Sequence, residues 1–317
     1  MAAVDTGGQP GVRVAPAVPY AGLGLDRATD RREDPAWAAG LAAEPRARVR
    51  LLWRDQCLVA GDPPVPLVLK AAALAEADLQ RLVLLGLDDG APEFAADLSD
   101  SSLADALATT GAEAVADTRS LFASLPAAEA GILAYARGLL YWNRNQRYCG
   151  RCGSEAMSRN AGLMRACTND ECGSLLFPRI APAVITLVET IASPARCLLA
   201  RHRASTAGGY SLLAGFVEIG ESLEDAVRRE IFEEAGVRLR DVSYVGSQPW
   251  PFPAGLMVAF RATAADEAVS VDGNEILEAH WFTRAELRDY DQSSGGFGRI
   301  DSIDRLVLTG WLAEGES

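Results

Sequence analysis

Nine residues, RREIFEEAG from Arg228 to Gly236, carry five charges. Three of them are the carboxylates of Glu230, Glu233 and Glu234. On a helix, positions three and four apart share a face, so such carboxylates repel. A solvated helix face is the ordinary explanation of a charge run. The neighbours oppose it here. Leu223, Ala226 and Val227 precede Glu230 by seven, four and three residues, which sets Glu230 on the apolar stripe. A carboxylate withdrawn from water needs a counter-charge. Several together suit a hard divalent cation, Mg²⁺ or Mn²⁺.

A second cluster is made of sulfur. YCGRCGSEAMSRNAGLMRACTNDECG places Cys149, Cys152, Cys167 and Cys172 as a C-x₂-C pair followed by a C-x₄-C pair. Four thiolates, on one tight turn and one wider turn at Asn169 and Asp170, fit a tetrahedral Zn²⁺ with no open coordination position, hence a structural ion in a zinc ribbon. Disulfides are the weaker alternative in a reducing compartment. Cys57 and Cys197 each stand beside an apolar run and read as core residues.

The elements around these clusters follow from local signals. Leu212 to Val237 reads as a strand, a loop bracketed by Gly215 and Gly220, and a helix. Ser222 with Asp225 caps its start and Gly236 ends it. RVRLLW, CLVA, PLVLK and LVLLGLDDGAPEFAADL give strands of a small β-rich N-terminal domain, with a helix near Leu103 to Ala108. Pro126 to Gln146 is a long amphipathic helix with Ile132, Tyr135, Ala136, Leu139 and Trp142 near helical spacing. AVITLVE and RCLLARH are two further strands, and no internal repeat is visible. The expected division is an N-terminal domain over 1–146, the ribbon over 147–177 and a third domain over 178–312.

Composition narrows the class. The chain of 317 residues is 49% hydrophobic and 23% charged, as in globular proteins. A net charge of −13 speaks against a general nucleic-acid coat, although a local basic groove is compatible with it. Lys70 is the only lysine, so arginine would supply any phosphate contact. There is no basic-then-apolar leader pattern and no apolar run approaching about 18 residues, so a cytoplasmic protein without membrane contact is expected. The very start, rich in Gly, Ala and Pro, is expected to be loosely ordered.

The spacing Gly215, five residues, Glu221, seven residues, then Arg229-Glu230-Ile231-Phe232-Glu233-Glu234-Ala235-Gly236-Val237 resembles the signature of the Nudix hydrolases at every defined position. The resemblance implies an α/β protein, an α/β/α sandwich with a mixed sheet, that hydrolyses nucleoside diphosphates linked to another moiety. It implies that Glu230, Glu233 and Glu234 face divalent ions, that one of them positions or deprotonates the attacking water, a role expected of Glu234 before Glu233, and that Arg229 orients the carboxylates. Beyond the signature, SQPWPFPAGLM from Ser247 holds three prolines, and Trp250 and Phe252 offer flat faces to a base. SQPWPFP, the ribbon and the link LFPRIAPAVI together resemble the NADH pyrophosphatases, also described as NAD-capped RNA hydrolases, over residues 119–312.

That second resemblance implies cleavage of NAD⁺ or NADH to nicotinamide mononucleotide and AMP, and removal of a 5′ NAD cap from RNA. The implied cation ligands are Glu230, Glu233, Glu234 and Glu275 with the Ala214 carbonyl. The implied substrate contacts are Gln248, Pro249, Trp250, Pro251, Phe252, Pro253, Ala254, Gly255 and Arg119. Phe216 would sandwich the nicotinamide with Phe177 of a second subunit, so a homodimer is implied. The chain departs from the family in four places: Gly255 stands for Ser, Phe177 for Tyr, the second cysteine pair is wider, and Asp304 replaces a small residue near substrate, where it would oppose phosphate. Two other readings compete. A Nudix enzyme for ADP-ribose or dinucleoside polyphosphates is disfavoured by SQPWPFP. A non-catalytic zinc-ribbon module binding RNA or protein is disfavoured by the complete signature and the acidic charge.

Overall fold

The computed structural model describes residues 18–74, 81–203, 209–271, 273–293 and 297–314. The loose start expected from composition falls on residues 1–17, outside the described residues. From residue 18 the chain is anchored, with Tyr20, Ala28 and Arg32 buried.

Helix α1 (Pro35–Leu41) is started by the Asp34 carboxylate, which accepts from the Ala36 and Trp37 amides. A first sheet follows from β1 (Arg48–Trp53), β2 (Gln56–Ala60), β3 (Val65–Pro66), β4 (Val68–Lys70), β5 (Val83–Asp88), β6 (Ala91–Asp97) and β7 (Ala114–Asp117). Helix α2 (Leu103–Thr110) joins β6 to β7, and the single turn α3 (Thr118–Leu121) leads into α4 (Ala127–Asn145). One face of the sheet buries Val49, Leu51, Leu58 and Phe94 against Trp37 and Ala106. The other buries Leu52, Val83, Leu85 and Ala95 against Ile132, Ala136, Leu139 and Trp142 of α4. Burial on both faces explains why these strands read as nearly continuous apolar runs.

The ribbon is three short antiparallel strands, β8 (Ala156–Arg159), β9 (Met164–Cys167) and β10 (Leu175–Leu176). The second large sheet has the order β14-β15-β11-β12-β16, with β13 paired to β11. Its strands are β11 (Ala181–Glu189), β12 (Arg196–His202), β13 (Leu213–Phe216), β14 (Leu239–Trp250), β15 (Gly255–Ala264) and β16 (Ile276–Thr283). β11 and β15 run parallel and the other pairs antiparallel, so the sheet is mixed. Helix α5 (Leu223–Ala235) covers one face, burying Ala226, Val227 and Ile231 on Val184, Val188, Leu198 and Phe260. Helices α6 (Arg284–Ser293) and α7 (Ile303–Ala313) cover the other, with Leu287, Val307, Leu308 and Trp311 on Ile185, Leu187 and Leu199. Alternate residues of β11 serve opposite faces, as the two-residue period requires. Among the described residues no helix is long and apolar enough to cross a membrane.

The expectation of no repeat is corrected. β1, β2, β4, β5, β6 and β7 pair with one another as β11, β12, β13, β14, β15 and β16 do. The central strand of each set runs parallel to β6 or β15 and antiparallel to the strands on its other side. The outer pairs β5–β6 and β14–β15, and β2–β7 and β12–β16, match as well. The repeat lies in backbone pairing, which tolerates any apolar side chain of suitable size, so sequence identity between the halves has faded. Residues 71–82, between β4 and β5, hold nothing like the Arg-Glu-x-x-Glu-Glu run that lies between β13 and β14.

Asp304 is also corrected. It does not reach toward phosphate but is buried in the first turn of α7, where it accepts from the Leu212 amide at 3.3 Å. Gly298 makes room for it, since a Cβ there would lie 2.6 Å from its Oδ2. Burial pushes its carboxyl up to about 7, partly opposed by the Leu212 amide and Arg305. A carboxyl raised above its unfolded value stabilises the fold in its neutral form. That contribution is complete below the unfolded pKa and is lost as pH rises toward 7. Asp304→Asn should therefore melt above wild type at pH 8, by at most about 4 kcal/mol from three pK units, with the gap closing near pH 4.5. Calorimetry at the two pH values checks this, and a gap independent of pH rejects it.

Candidate active site

Helix α5 starts on a reciprocal cap between Ser222 and Asp225 and ends at Gly236, whose φ of 72° is left-handed. This fixes the direction in which its carboxylates point. Glu234 is 5% exposed and faces inward. The Glu230 side chain is 15% exposed, whereas Glu233 is 59% exposed at the rim. The run therefore does not present three equivalent ligands.

Arg229 holds the group together. Its guanidinium meets Glu221 at 2.6 Å, Glu230 at 2.9 Å and Glu233 at 3.1 Å. It also donates to the Phe216 carbonyl at 2.9 Å. The hydrogen bond from Arg229 holds the Glu221 carboxyl down at about 2, helped by the Glu218 amide. Glu230 moves the other way: burial raises it, with Arg229 opposing.

Gly215 proves to be a strand residue of β13 and not part of a turn. A Cβ there would sit 1.9 Å from the Glu230 carboxyl carbon. The missing side chain is what lets helix and strand close on each other. Gly220, with φ of 97°, is the true turn glycine.

The remaining oxygen donors come from outside the helix. Ala214 precedes Gly215 on β13, opposite Ile185. Glu275 sits just before β16, and its carbonyl accepts from the Arg203 amide at 2.9 Å. One oxygen each of Glu234 and Glu275 and a ring nitrogen of His202 lie within 4.8 Å of one another. The sequence reading missed His202; the only signal was its place at the end of β12. A set dominated by carboxylate oxygens, folded around a glycine cradle, fits hard divalent ions.

The SQPWPFP segment closes the β14–β15 hairpin, with Trp250 opposite Gly255. β14 is an edge strand, which is why it accepts Pro249. The structure divides the expected substrate contacts into three groups. Trp250, Phe252, Pro253, Ala254 and Gly255 line a cavity of about 470 Å³ together with Phe216. Pro249 and Pro251 face a neighbouring cavity of about 340 Å³ toward α4, which Ala254 and Gly255 also border. Gln248 faces neither. It is buried, donating to the Asp301 carbonyl and accepting from the Ile303 amide, each at 2.7 Å, and so ties the hairpin to the start of α7.

Arg119 lies 5.3 Å from the Phe252 ring, so the structure does bring it to the segment. Arg137, missed in the sequence, lies 4.9 Å from the same ring and donates to the Pro251 carbonyl at 2.6 Å. Tyr20 was missed too. Its ring packs on Phe252 at 5.3 Å and on Trp250 at 6.3 Å, and its hydroxyl donates to Asp301 at 2.7 Å. Burial, with Asp301, pushes that phenol far above its usual range. Phe177 and Phe216 are both exposed, and Phe177 is not among the residues lining the cavity of its own chain. Phe216 joins the two halves of the site, its ring on the cavity and its carbonyl on Arg229.

At the ribbon, the Cys149 and Cys172 sulfurs are 3.8 Å apart and those of Cys152 and Cys167 3.4 Å. All four lie within 4.8 Å of one another. Sulfurs at about 2.3 Å from one tetrahedral ion would be roughly 3.8 Å apart, so the cluster fits zinc. Cys57 and Cys197 behave as core residues, burial pushing their thiols up to about 11 and about 12.

A mixed sheet between two helical layers, with this helix and glycine strand, defines a Nudix domain. The NUDIX domain profile matches residues 179–299, and the profile of the NADH pyrophosphatase-like rudimentary NUDIX domain matches residues 46–142. The second match accounts for the repeated strand pairing. The chain is 39% identical over 304 residues to "NAD-capped RNA hydrolase NudC" of Mycobacterium bovis, covering 92% of this chain and 93% of that protein. It is 42% identical over 167 residues to "NAD-capped RNA hydrolase NUDT12" of Pongo abelii, covering 51% of this chain. It spans only 36% of that primate relative's length. Among solved structures, a NUDIX hydrolase from Nitrosomonas europaea matches with 22% identity and a TM-score of 0.44, over 53% of this chain and 92% of that one. The chain belongs to the Nudix family, in the group of its NudC and NUDT12 relatives.

Gly215→Ala tests the cradle. It should fold but displace Glu230 from Arg229, and a displacement near 1 Å can cost about 10²-fold in rate. Turnover within a few-fold of wild type would show that the close approach is dispensable.

Proposed function

We propose that this chain hydrolyses the pyrophosphate of NAD⁺ or NADH to nicotinamide mononucleotide and AMP, and removes the 5′ NAD cap from RNA to leave a 5′ monophosphate. The observation that carries the reading is the position of Phe216, which lines an aromatic-walled cavity while its carbonyl accepts from Arg229, the partner of Glu230. A planar ring stacks on Phe216, Trp250 or Phe252 while its pyrophosphate lies toward Glu230 and Glu234. The names of the NudC and NUDT12 relatives agree with this substrate class.

Glu230, Glu233, Glu234, Glu275 and the Ala214 carbonyl would hold Mg²⁺ or Mn²⁺. When bound, these ions neutralise pyrophosphate oxygens and make water more acidic. Glu234, which is buried, accepts the proton of the water that attacks phosphorus, and the bridging oxygen leaves with the second nucleotide. Arg229 bridges Glu230 and Glu233 and holds both in place. Arg119 and Arg137 brace Phe252 from behind. Zinc at the four cysteines is structural, and the thiolates it needs suit the cytoplasm. Homodimerisation would bring Phe177 of one chain to Phe216 of its partner, which the exposure of both rings supports.

Turnover assays with NADH, ADP-ribose and NAD-capped RNA, each with and without divalent ions, test the assignment. NADH and capped RNA should be cleaved only with metal, and preference for ADP-ribose would overturn it. Glu234→Gln should lower kcat by about 10²–10⁴-fold with a smaller change in NADH binding. With chelator present it should melt above wild type, because one repelling charge is gone. A variant within about tenfold of wild type moves the base to Glu233 or Glu275.

Cys149→Ser should lower the melting temperature and the yield of folded protein, since a structural site contributes its binding energy to folding. The folded fraction should still turn over NADH. An unchanged melting temperature with activity abolished would contradict a structural ion.

A further inference from the structure

We propose that His202 is a nitrogen ligand of the cation position at Glu234 and Glu275, and that it biases this position toward a first-row transition ion over Mg²⁺. The inference rests on the proposed role of those two glutamates. The three donor atoms lie within 4.8 Å of one another. Divalent ions hold such ligands at about 2.0–2.2 Å, so a small side-chain adjustment brings all three onto one ion.

The backbone aims each member. β12 and β16 pair regularly from Arg196 to Arg201, and the register shifts between Arg201 and His202. A bulge at this point re-aims the next side chain, a device common beside active sites. His202 then lies opposite Ile276, the neighbour of Glu275. Arg203 pins the loop that carries Glu275: its guanidinium donates to the Asn274 carbonyl at 2.6 Å and the Gly273 carbonyl at 2.9 Å.

The imidazole is prepared as a ligand. Its Nε2 lies 3.4 Å from the Leu212 carbonyl. A ring N–H donated to a backbone carbonyl leaves the other ring nitrogen its lone pair, and metal-bound histidines almost always make such a hydrogen bond. Leu212 is itself held, its amide donating to Asp304. Mg²⁺ takes oxygen donors and dehydrates reluctantly, whereas imidazole adds affinity for transition ions.

Pulsed electron paramagnetic resonance on the zinc-loaded full chain with substoichiometric Mn²⁺ tests this. Wild type should show echo modulation from a directly bound ¹⁴N, and His202→Gln should lose it. His280 is the only other histidine, so the loss assigns the nitrogen. Mn²⁺ affinity should fall about tenfold or more in His202→Gln, while Mg²⁺ affinity, read by competition, changes less than about threefold. Bound Mn²⁺ without nitrogen modulation in wild type overturns the proposal, a result that stands even if His202→Gln does not fold. Equal losses for both ions also overturn it. Glu234→Gln separates the two readings: if it binds Mn²⁺ as wild type does, the cation site itself is misplaced. If it loses Mn²⁺ while wild type shows no nitrogen, only the role of His202 fails.

Discussion

The site depends on one guanidinium placed among carboxylates. Glu221, Glu230 and Glu233 meet at Arg229, and Glu234 and Glu275 stand nearby. Carboxylates gathered this closely repel one another. Arg229 offsets part of that repulsion with a planar fork that reaches three acids and a backbone carbonyl. The arrangement works only because Gly215 has no side chain, so charge compensation and close packing are one constraint.

The N-terminal sheet contributes through α4. This helix buries one face on β1, β5 and β6 and turns another toward the SQPWPFP hairpin. At Gly138 an added Cβ would lie 2.8 Å from Pro251, and Arg137 grips the Pro251 carbonyl. A half of the molecule that repeats the Nudix strand pairing without its carboxylate run thus stiffens the aromatic wall belonging to the other half. Rigid support matters because an aromatic platform gains from stacking only if its ring is already held in position.

The hairpin is fixed from its other side by Gln248, Asp301 and Tyr20. A buried amide that both donates and accepts tolerates no shift of register without stranding a polar group. Two stretches far apart in sequence, around Tyr20 and Asp301, are thereby tied to the segment that carries Trp250 and Phe252. Asp304, one turn of α7 away, secures Leu212 just before β13. The acid that looked like an intruder at the phosphate site is a buried strut.

The sequence by itself determined the chemistry and most of the elements. The spacing of Glu230, Glu233 and Glu234, the Ser222–Asp225 cap, the stop at Gly236 and the cysteine knuckles are local patterns, governed by helix period and turn geometry. Helix α4 and the strands RVRLLW, CLVA, AVITLVE and RCLLARH were legible for the same reason. Tertiary structure alone decided which carboxylates turn inward, since neighbours on α5 differ in exposure only through what packs on them. It alone set Gly215 against Glu230, brought Tyr20 and Arg137 to Phe252, and buried Gln248 and Asp304. It alone placed His202 beside Glu275, through a shifted register in a strand pair. These contacts join residues tens to hundreds of positions apart, and no local period encodes them. The repeat between the two sheets stayed hidden for a related reason: strand pairing is written in backbone hydrogen bonds, which carry no side-chain identity.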